Sequence, residues 1–205
     1  NYPDPMELAD RVGVDALRFY LLSSSVIRGE DLAVSEKEVL ELQRKNIGRL
    51  HNVLAMYLMY ADGSVESRSD STNVLDRWII ARLNQVIVEV TVGYEGYELD
   101  KATRPIEGLI DDLSVWYLRR SRDRVKGSDE EDKKATLATL RYVLKNLALI
   151  MAPVMPFYAE HLLLNVREDS DAESVHLMGW PSAENIEGHL IADMSELRKV
   201  VTLAL

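Results

Sequence analysis

Apolar residues recur three and four positions apart along most of the chain, which is the spacing of one face of an α-helix. Polar turns separate these stretches, and the predicted long helices run over 35–61, 74–92, 99–126 and 128–151, followed by a short helix over 157–166. Helices of this length joined by short turns pack as neighbours in a bundle. The pattern therefore predicts an all-α fold, an antiparallel helical bundle, with one or two short strands.

Residues that favour helix ends mark the predicted boundaries. Asp4 before Pro5 begins a short helix that ends at Gly13, and Asp15 begins a second one that reaches about Leu22. Ser35 with Glu38, Thr72 or Asn73, and Ser128 with Glu131 mark the starts of three of the long helices. Pro105 lies inside the helix 99–126 and predicts a kink near 101–104.

Three segments follow from these boundaries. Residues 1–34 form a junction segment with short helices and a possible extended piece at 31–34, and residues 35–168 form the bundle. Residues 169–205 carry a predicted strand at 174–178 and the start of a further helix from Asp193.

Composition narrows the possible chemistry. The 205 residues are 47% hydrophobic, enough for a sizeable core, and include no cysteine, so neither a disulfide nor a thiolate zinc site can form. The four histidines are scattered and predict no metal site. No run of about eighteen apolar residues and no signal peptide occurs, so we expect a cytoplasmic protein with no membrane partner.

One stretch has the opposite charge to the chain as a whole. The net charge is −10, yet five of the eight residues from Arg119 to Lys126 are basic and directly follow Trp116 and Tyr117. Arginines beside aromatic residues are typical of nucleic-acid binding. The alternative is that cations near a helix C-terminus stabilise the helix dipole and pair with nearby acids. Asp111 and Asp112 point about 100° apart on a helix, which favours a salt-bridging role over a catalytic one.

The segment DDLSVWYLRRSRDR resembles the anticodon-binding helical domain of isoleucyl-tRNA synthetases, which are class I aminoacyl-tRNA synthetases. Further segments resemble the same family in the same order, and together the matches span nearly the whole chain. They are NYPDPMEL with GVDALRFYLLSS, which resemble the region immediately after the KMSKS loop, then LDRWIIARLN, MAPVMPFYAEHL and ESVHLMGWP. The sequence departs from the family at Val115, where asparagine is common, and at Asp123, which interrupts the basic run.

The resemblance implies a module that binds the anticodon stem and loop of the tRNA for isoleucine. Arg122 and Arg124 are the strongest candidates, because basic residues at these offsets resemble those of related synthetases. The helix 35–61 is implied to lie beside the anticodon stem. The full set of predicted tRNA-binding residues is Arg119, Arg120, Arg122, Arg124, Lys126, Trp116, Lys45, Asn46, Arg49 and Asn52.

The resemblance also implies what this chain does not do alone. Isoleucine and ATP with magnesium belong to catalytic and editing parts of a parent ligase, so we predict no catalytic residue and no cofactor here. The catalytic domain of the same parent chain is an expected partner. The alternatives are the corresponding domain of a valyl or leucyl enzyme, or a helical interaction module that binds a protein rather than RNA.

Overall fold

The N-terminal part of the protein forms two short helices and a tight turn. The computed structural model describes residues 4–63 and 65–204. Helix α1 spans Pro5–Val12 and helix α2 spans Val14–Ser23, followed by a 3₁₀ turn at Ser25–Arg28. The Asp4 carboxylate accepts hydrogen bonds from two backbone N–H groups of α1, as the sequence predicts.

In the bundle, two π-helical segments each join a pair of consecutive α-helices into one longer helix. The α-helices of the bundle are α3 Glu36–Gln43, α4 Arg49–Tyr60, α5 Val74–Glu95, α6 Leu99–Asp111, α7 Leu118–Lys126, α8 Glu130–Met151, α9 Pro156–Val166 and α10 Gly188–Leu203. One π segment, Arg44–Gly48, joins α3 to α4, and the other, Asp112–Tyr117, joins α6 to α7. The predicted helices 35–61 and 99–126 are therefore continuous, but each contains a wider turn that apolar spacing did not predict.

Helix α5 lies at the centre of the bundle. It packs against α6, α8 and α10, while α7 and α9 pack against α8. The core includes the fully buried side chains of Trp78 and Tyr117. At Gly93 the backbone of α5 approaches α6 so closely that an added Cβ would lie 2.6 Å from the Ala102 nitrogen. Only glycine allows this approach.

Hydrogen bonds of polar side chains connect the N-terminal helices to the bundle. Arg18 of α2 donates to the carbonyl oxygens of Val154 (3.1 Å) and Pro153 (3.0 Å). The Asp15 carboxylate accepts from the backbone N–H of Tyr158 at the start of α9 (2.6 Å). A small apolar cluster between α1, α2 and α3 completes this contact. The division of the chain at residues 34 and 168 stays a prediction.

The predicted strand at 174–178 is wrong. Val175–Leu177 is a 3₁₀ turn, and the Glu160 carboxylate accepts from the Val175 backbone N–H (2.8 Å) and the Ser174 hydroxyl (3.0 Å). A side chain thus satisfies the backbone group that a strand would have paired. Residues 31–34 are also not a strand.

Two helix starts also differ from the prediction. Asp129, not Ser128, caps α8, because its carboxylate accepts from the backbone N–H groups of Glu131 and Asp132, both at 3.1 Å. Helix α10 begins at Gly188, five residues before the predicted start at Asp193. Pro105 lies inside α6, where the predicted kink stays a prediction.

Candidate nucleic-acid interface

Helix α7 presents a row of cations to solvent. Arg119, Arg122 and Lys126 are exposed and lie three and four positions apart, so they share one side of the helix, which we call the cationic face. Leu118 and Val125, which flank this face, are buried in the bundle. Within 4–63 and 65–204, no carboxylate forms an ion pair with any side chain of the cationic face. The face therefore carries positive charge that the described protein does not neutralise, although the exposed Asp123 lies beside it.

Arg124 lies on the inner side of the same helix, where two carboxylates occupy its guanidinium, and its role as an RNA contact stays a prediction. Its side chain is 12% exposed and forms ion pairs with Asp76 (2.7 Å) and Asp132 (2.6 Å). The guanidinium donates to both oxygens of each carboxylate. Arg122 and Arg124 are two positions apart, about 200° around a helix, so one faces solvent when the other faces the core.

The Asp76 carboxylate joins several elements in the interior. It is fully buried in α5 and accepts from the Tyr117 hydroxyl (2.7 Å), the Ser71 hydroxyl (2.7 Å) and Arg124. Burial, together with the nearby negative charge of Asp76, raises the pKa of Tyr117 well above its usual value, so the phenol keeps its proton and donates. Burial opposes the charge on Arg124, but hydrogen bonds to Asp76 and Asp132 outweigh it and raise the pKa of Arg124. We call Asp76, Tyr117, Arg124 and Asp132 the anchoring cluster.

Trp116 is a packing residue covered by an arginine. Its side chain is 8% exposed, and its indole N–H donates to the sulfur of Met194 in α10 (3.2 Å). The guanidinium carbon of Arg120 lies 3.1 Å from the ring centroid. The Trp116 ring is thus covered in this structure and its contact with RNA stays a prediction, while Arg120, which covers it, is exposed.

Asn46 is also unavailable to a ligand. It is fully buried in the π segment Arg44–Gly48, and neither atom of its side-chain amide has a hydrogen-bond partner in the described structure. Its side chain does not reach the surface in this structure, and its role as a tRNA contact stays a prediction.

The remaining predicted residues near α4 lie at the surface. Lys45 forms an ion pair of 3.6 Å with Glu41, and both side chains are about half exposed, so this pair is weak. Arg49 forms an ion pair of 2.8 Å with Asp111 at the end of α6. Asn52 is exposed. Lys45 and Asn52 are thus accessible, whereas Arg49 is partly committed to a carboxylate.

Comparison with known proteins identifies the family. Residues 76–204 match the family model described as the anticodon-binding domain of tRNA ligase, which is more than half of the chain. The chain belongs to the anticodon-binding domains of tRNA ligases. The matched region begins at Asp76 and contains the whole cationic face, while Lys45, Arg49 and Asn52 precede it.

Individual relatives of this anticodon-binding domain are isoleucine–tRNA ligases. The protein from Chlamydia muridarum is 38% identical over 210 residues, covering 99% of this chain and 20% of that protein. The protein from Treponema pallidum is 34% identical over 224 residues, covering 100% and 20%. The chain thus spans about a fifth of the length of the curated relatives it matches.

A solved structure has the same fold. The chain resembles LeuRS of Agrobacterium radiobacter, crystallised in a ternary complex with tRNA and LeuAMS, with a TM-score of 0.61 and 22% identity. The match covers 92% of this chain and 21% of that one. At this identity the likeness establishes the helical fold alone.

The anticodon-binding domain also contains a salt-bridge cluster whose full membership the sequence did not indicate. Asp112 pairs with Arg82 of α5 (2.9 Å) and with Arg198 of α10, and Asp111 pairs with Arg49 and Arg198 (3.5 Å). The predicted salt-bridging role of the two aspartates is confirmed. The positions of Arg82 and Arg198 depend on how three helices pack, which periodicity within one helix does not determine.

No helix in the described part of the domain is both long and apolar enough to span a membrane. Within the same residues, no three histidine, aspartate or glutamate side chains lie together as a metal site.

Proposed function

We propose that this anticodon-binding domain binds the anticodon stem and loop of the tRNA for isoleucine, as part of a cytoplasmic isoleucine–tRNA ligase. The observation that carries the proposal is the cationic face of α7. In a chain of net charge −10, three cations with no internal ion pair favour a polyanionic partner. The identities of 34–38% to isoleucine–tRNA ligases support the choice of isoleucine.

The face fits RNA phosphates by spacing and by charge. Residues three and four positions apart on one helix side place their side chains about 5–6 Å apart, comparable to successive phosphates along an RNA strand. Arg119 and Arg122 can each donate two parallel hydrogen bonds to one phosphate, and Lys126 contributes a point charge. The acidic remainder of the protein repels RNA elsewhere, so binding is concentrated where cations are exposed, as on this face.

In this proposal the chain positions tRNA and performs no chemistry. Isoleucine, ATP and magnesium would be handled by the catalytic part of the parent ligase, which is its partner within the same chain. The chain alone is not expected to activate isoleucine.

Charge reversal on the cationic face tests the proposal. We expect Arg119→Glu with Arg122→Glu to weaken binding of isoleucine tRNA more than about tenfold, roughly 1.4 kcal/mol. The slope of log affinity against log salt should become shallower by about one for each lost phosphate contact. Fluorescence anisotropy of labelled tRNA at several salt concentrations measures both quantities.

The control is Arg167→Glu, an exposed arginine at the end of α9 that undergoes the same change of charge as each of the two substitutions alone. It should change affinity by less than about twofold, because only long-range repulsion increases. Equal losses in the two variants would contradict the proposed site. Isoleucine tRNA should also bind more tightly than a version carrying a leucine or valine anticodon, whereas no binding of any tRNA would favour a protein-docking module.

A further inference from the structure

Two arginines from different helices share the ring of Trp116. The guanidinium carbon of Arg120, from α7, lies 3.1 Å from the ring centroid, and that of Arg198, from α10, lies 5.2 Å from it. Like charges this close repel each other. The negative face of the indole ring attracts a cation above it, which offsets part of this repulsion.

The two arginines differ in how their charge is balanced. Arg198 is half-buried and pairs with Asp111 and Asp112. Arg120 forms no ion pair with any described carboxylate, and its hydrogen bond to the Trp116 carbonyl oxygen is long, at 3.5 Å. Burial, followed by the neighbouring charges of Arg119 and Arg198, lowers the pKa of Arg120, so the charged form is less favoured than in water.

An oxyanion bound beside Arg120 would neutralise the positive charge that no described carboxylate pairs with. The indole ring holds the guanidinium plane, so the fork that matches a phosphate is fixed before the ligand arrives and little side-chain entropy is lost on binding. The excess charge is accessible, since Arg120 is exposed. The site lies on the same helix as the cationic face and one position from Arg119.

We propose that Arg120 and Arg198, held on Trp116, form a site for one RNA phosphate, so that helix α10 is part of the RNA-binding surface. This inference rests on the proposed function, because the phosphate belongs to the same tRNA. It adds a residue from outside α6–α7 to the interface. It also assigns the contact between Met194 and Trp116 the role of holding α10 in place.

The test compares Arg198→Gln with Lys199→Gln in tRNA binding. Both changes remove one positive charge from neighbouring positions of α10, but Lys199 is exposed and pairs only with Glu196 one turn away (2.6 Å). We expect Arg198→Gln to weaken isoleucine tRNA binding about fivefold and to make the salt slope shallower by roughly one, and Lys199→Gln to change affinity less than twofold. Arg120→Gln should behave like Arg198→Gln.

Loss of the ion pairs of Arg198 would also weaken the packing of α10. A second variant therefore distinguishes an effect of packing on tRNA affinity from an effect of charge. Met194→Ala removes a buried contact between α10 and Trp116 without changing charge. Any loss of affinity in this variant should leave the salt slope unchanged. A fall in affinity with an unchanged slope in Arg198→Gln would therefore overturn the phosphate site and leave Arg198 a packing role.

The outcomes also separate this inference from the proposed function. If Arg198→Gln binds as well as Lys199→Gln while the Arg119 and Arg122 reversals still weaken binding, the site at Trp116 is refuted and the cationic face stands. If no variant changes binding, both proposals are refuted.

Discussion

Replacing Arg124 by methionine should destabilise the protein without removing a cation from the cationic face. The substitution keeps a long side chain but leaves the fully buried Asp76 carboxylate without its positive partner. Asp132, which is 34% exposed, would lose the same partner but gain access to water. The main cost therefore arises at Asp76.

The contacts that Asp76 keeps determine how much stability Arg124→Met loses. Removing one partner of a buried ion pair costs about 3–5 kcal/mol, because an uncompensated charge stays in the interior. Asp76 would keep the hydroxyl hydrogen bonds from Tyr117 and Ser71, both at 2.7 Å, which places the expected loss near the lower limit, about 3 kcal/mol. For a chain of this size, that corresponds to a fall in Tm of about 6–12 °C.

Urea denaturation followed by circular dichroism measures this loss, with thermal unfolding as a second probe. The matched control is Arg122→Met, the same substitution two positions away on the exposed side of α7. It should change the free energy of unfolding by less than about 0.5 kcal/mol but weaken tRNA binding. A loss of less than about 1 kcal/mol in Arg124→Met would refute the assignment of Arg124 to the anchoring cluster.

Two further predictions concern acid stability and helix packing. Hydrogen bonds from Arg124 lower the pKa of Asp132, so the stability they contribute is present above the unfolded value of about 3.9 and is lost as pH falls through the folded value. The stability difference between the wild type and Arg124→Met should accordingly shrink in urea titrations as pH falls below about 5 and on through the lower folded value, and a constant difference would contradict this. Gly93→Ala should cost about 1–3 kcal/mol because its Cβ would clash with the Ala102 backbone, whereas Gly108→Ala, which meets nothing within 4 Å, should stabilise α6 by up to about 1 kcal/mol in the same assay.

The helical fold could be predicted from sequence because its signals are local. The Asp4 cap, the apolar spacing of α5 and α8, and the polar turns all act within a few residues of one another. The strand at 174–178 could not be distinguished in this way, since what decided it was Glu160, a side chain on a different element. The π segments escaped prediction because one inserted residue barely alters a short apolar pattern.

The candidate site was predictable as a location but not residue by residue. The basic run correctly placed the cationic face on α7, where Arg119, Arg122 and Lys126 are exposed. The alternative interpretation, pairing with nearby acids, applies to Arg124 and Asp132, but the run did not indicate the second partner, Asp76, which lies 48 positions away in the sequence. Charge composition identifies a segment, whereas the partner of each charge depends on tertiary packing.

Because successive residues of a helix point in different directions, the arginines of the basic run lie in three different environments. The environment of each arginine determines whether it stabilises the fold or is available for binding. Arg122 faces solvent, Arg120 lies on Trp116, and Arg124 ties α7 to α5 and α8. A cationic face binds a phosphate strand well only if its charges keep a fixed spacing, since each side chain or helix ordered on binding reduces affinity. Arg124 holds the helix through its internal ion pairs, so under the proposed function its charge would support RNA binding by fixing the spacing of the exposed cations. An acidic protein can therefore bind RNA through a few exposed cations, provided that another cation of the same helix is committed to the interior.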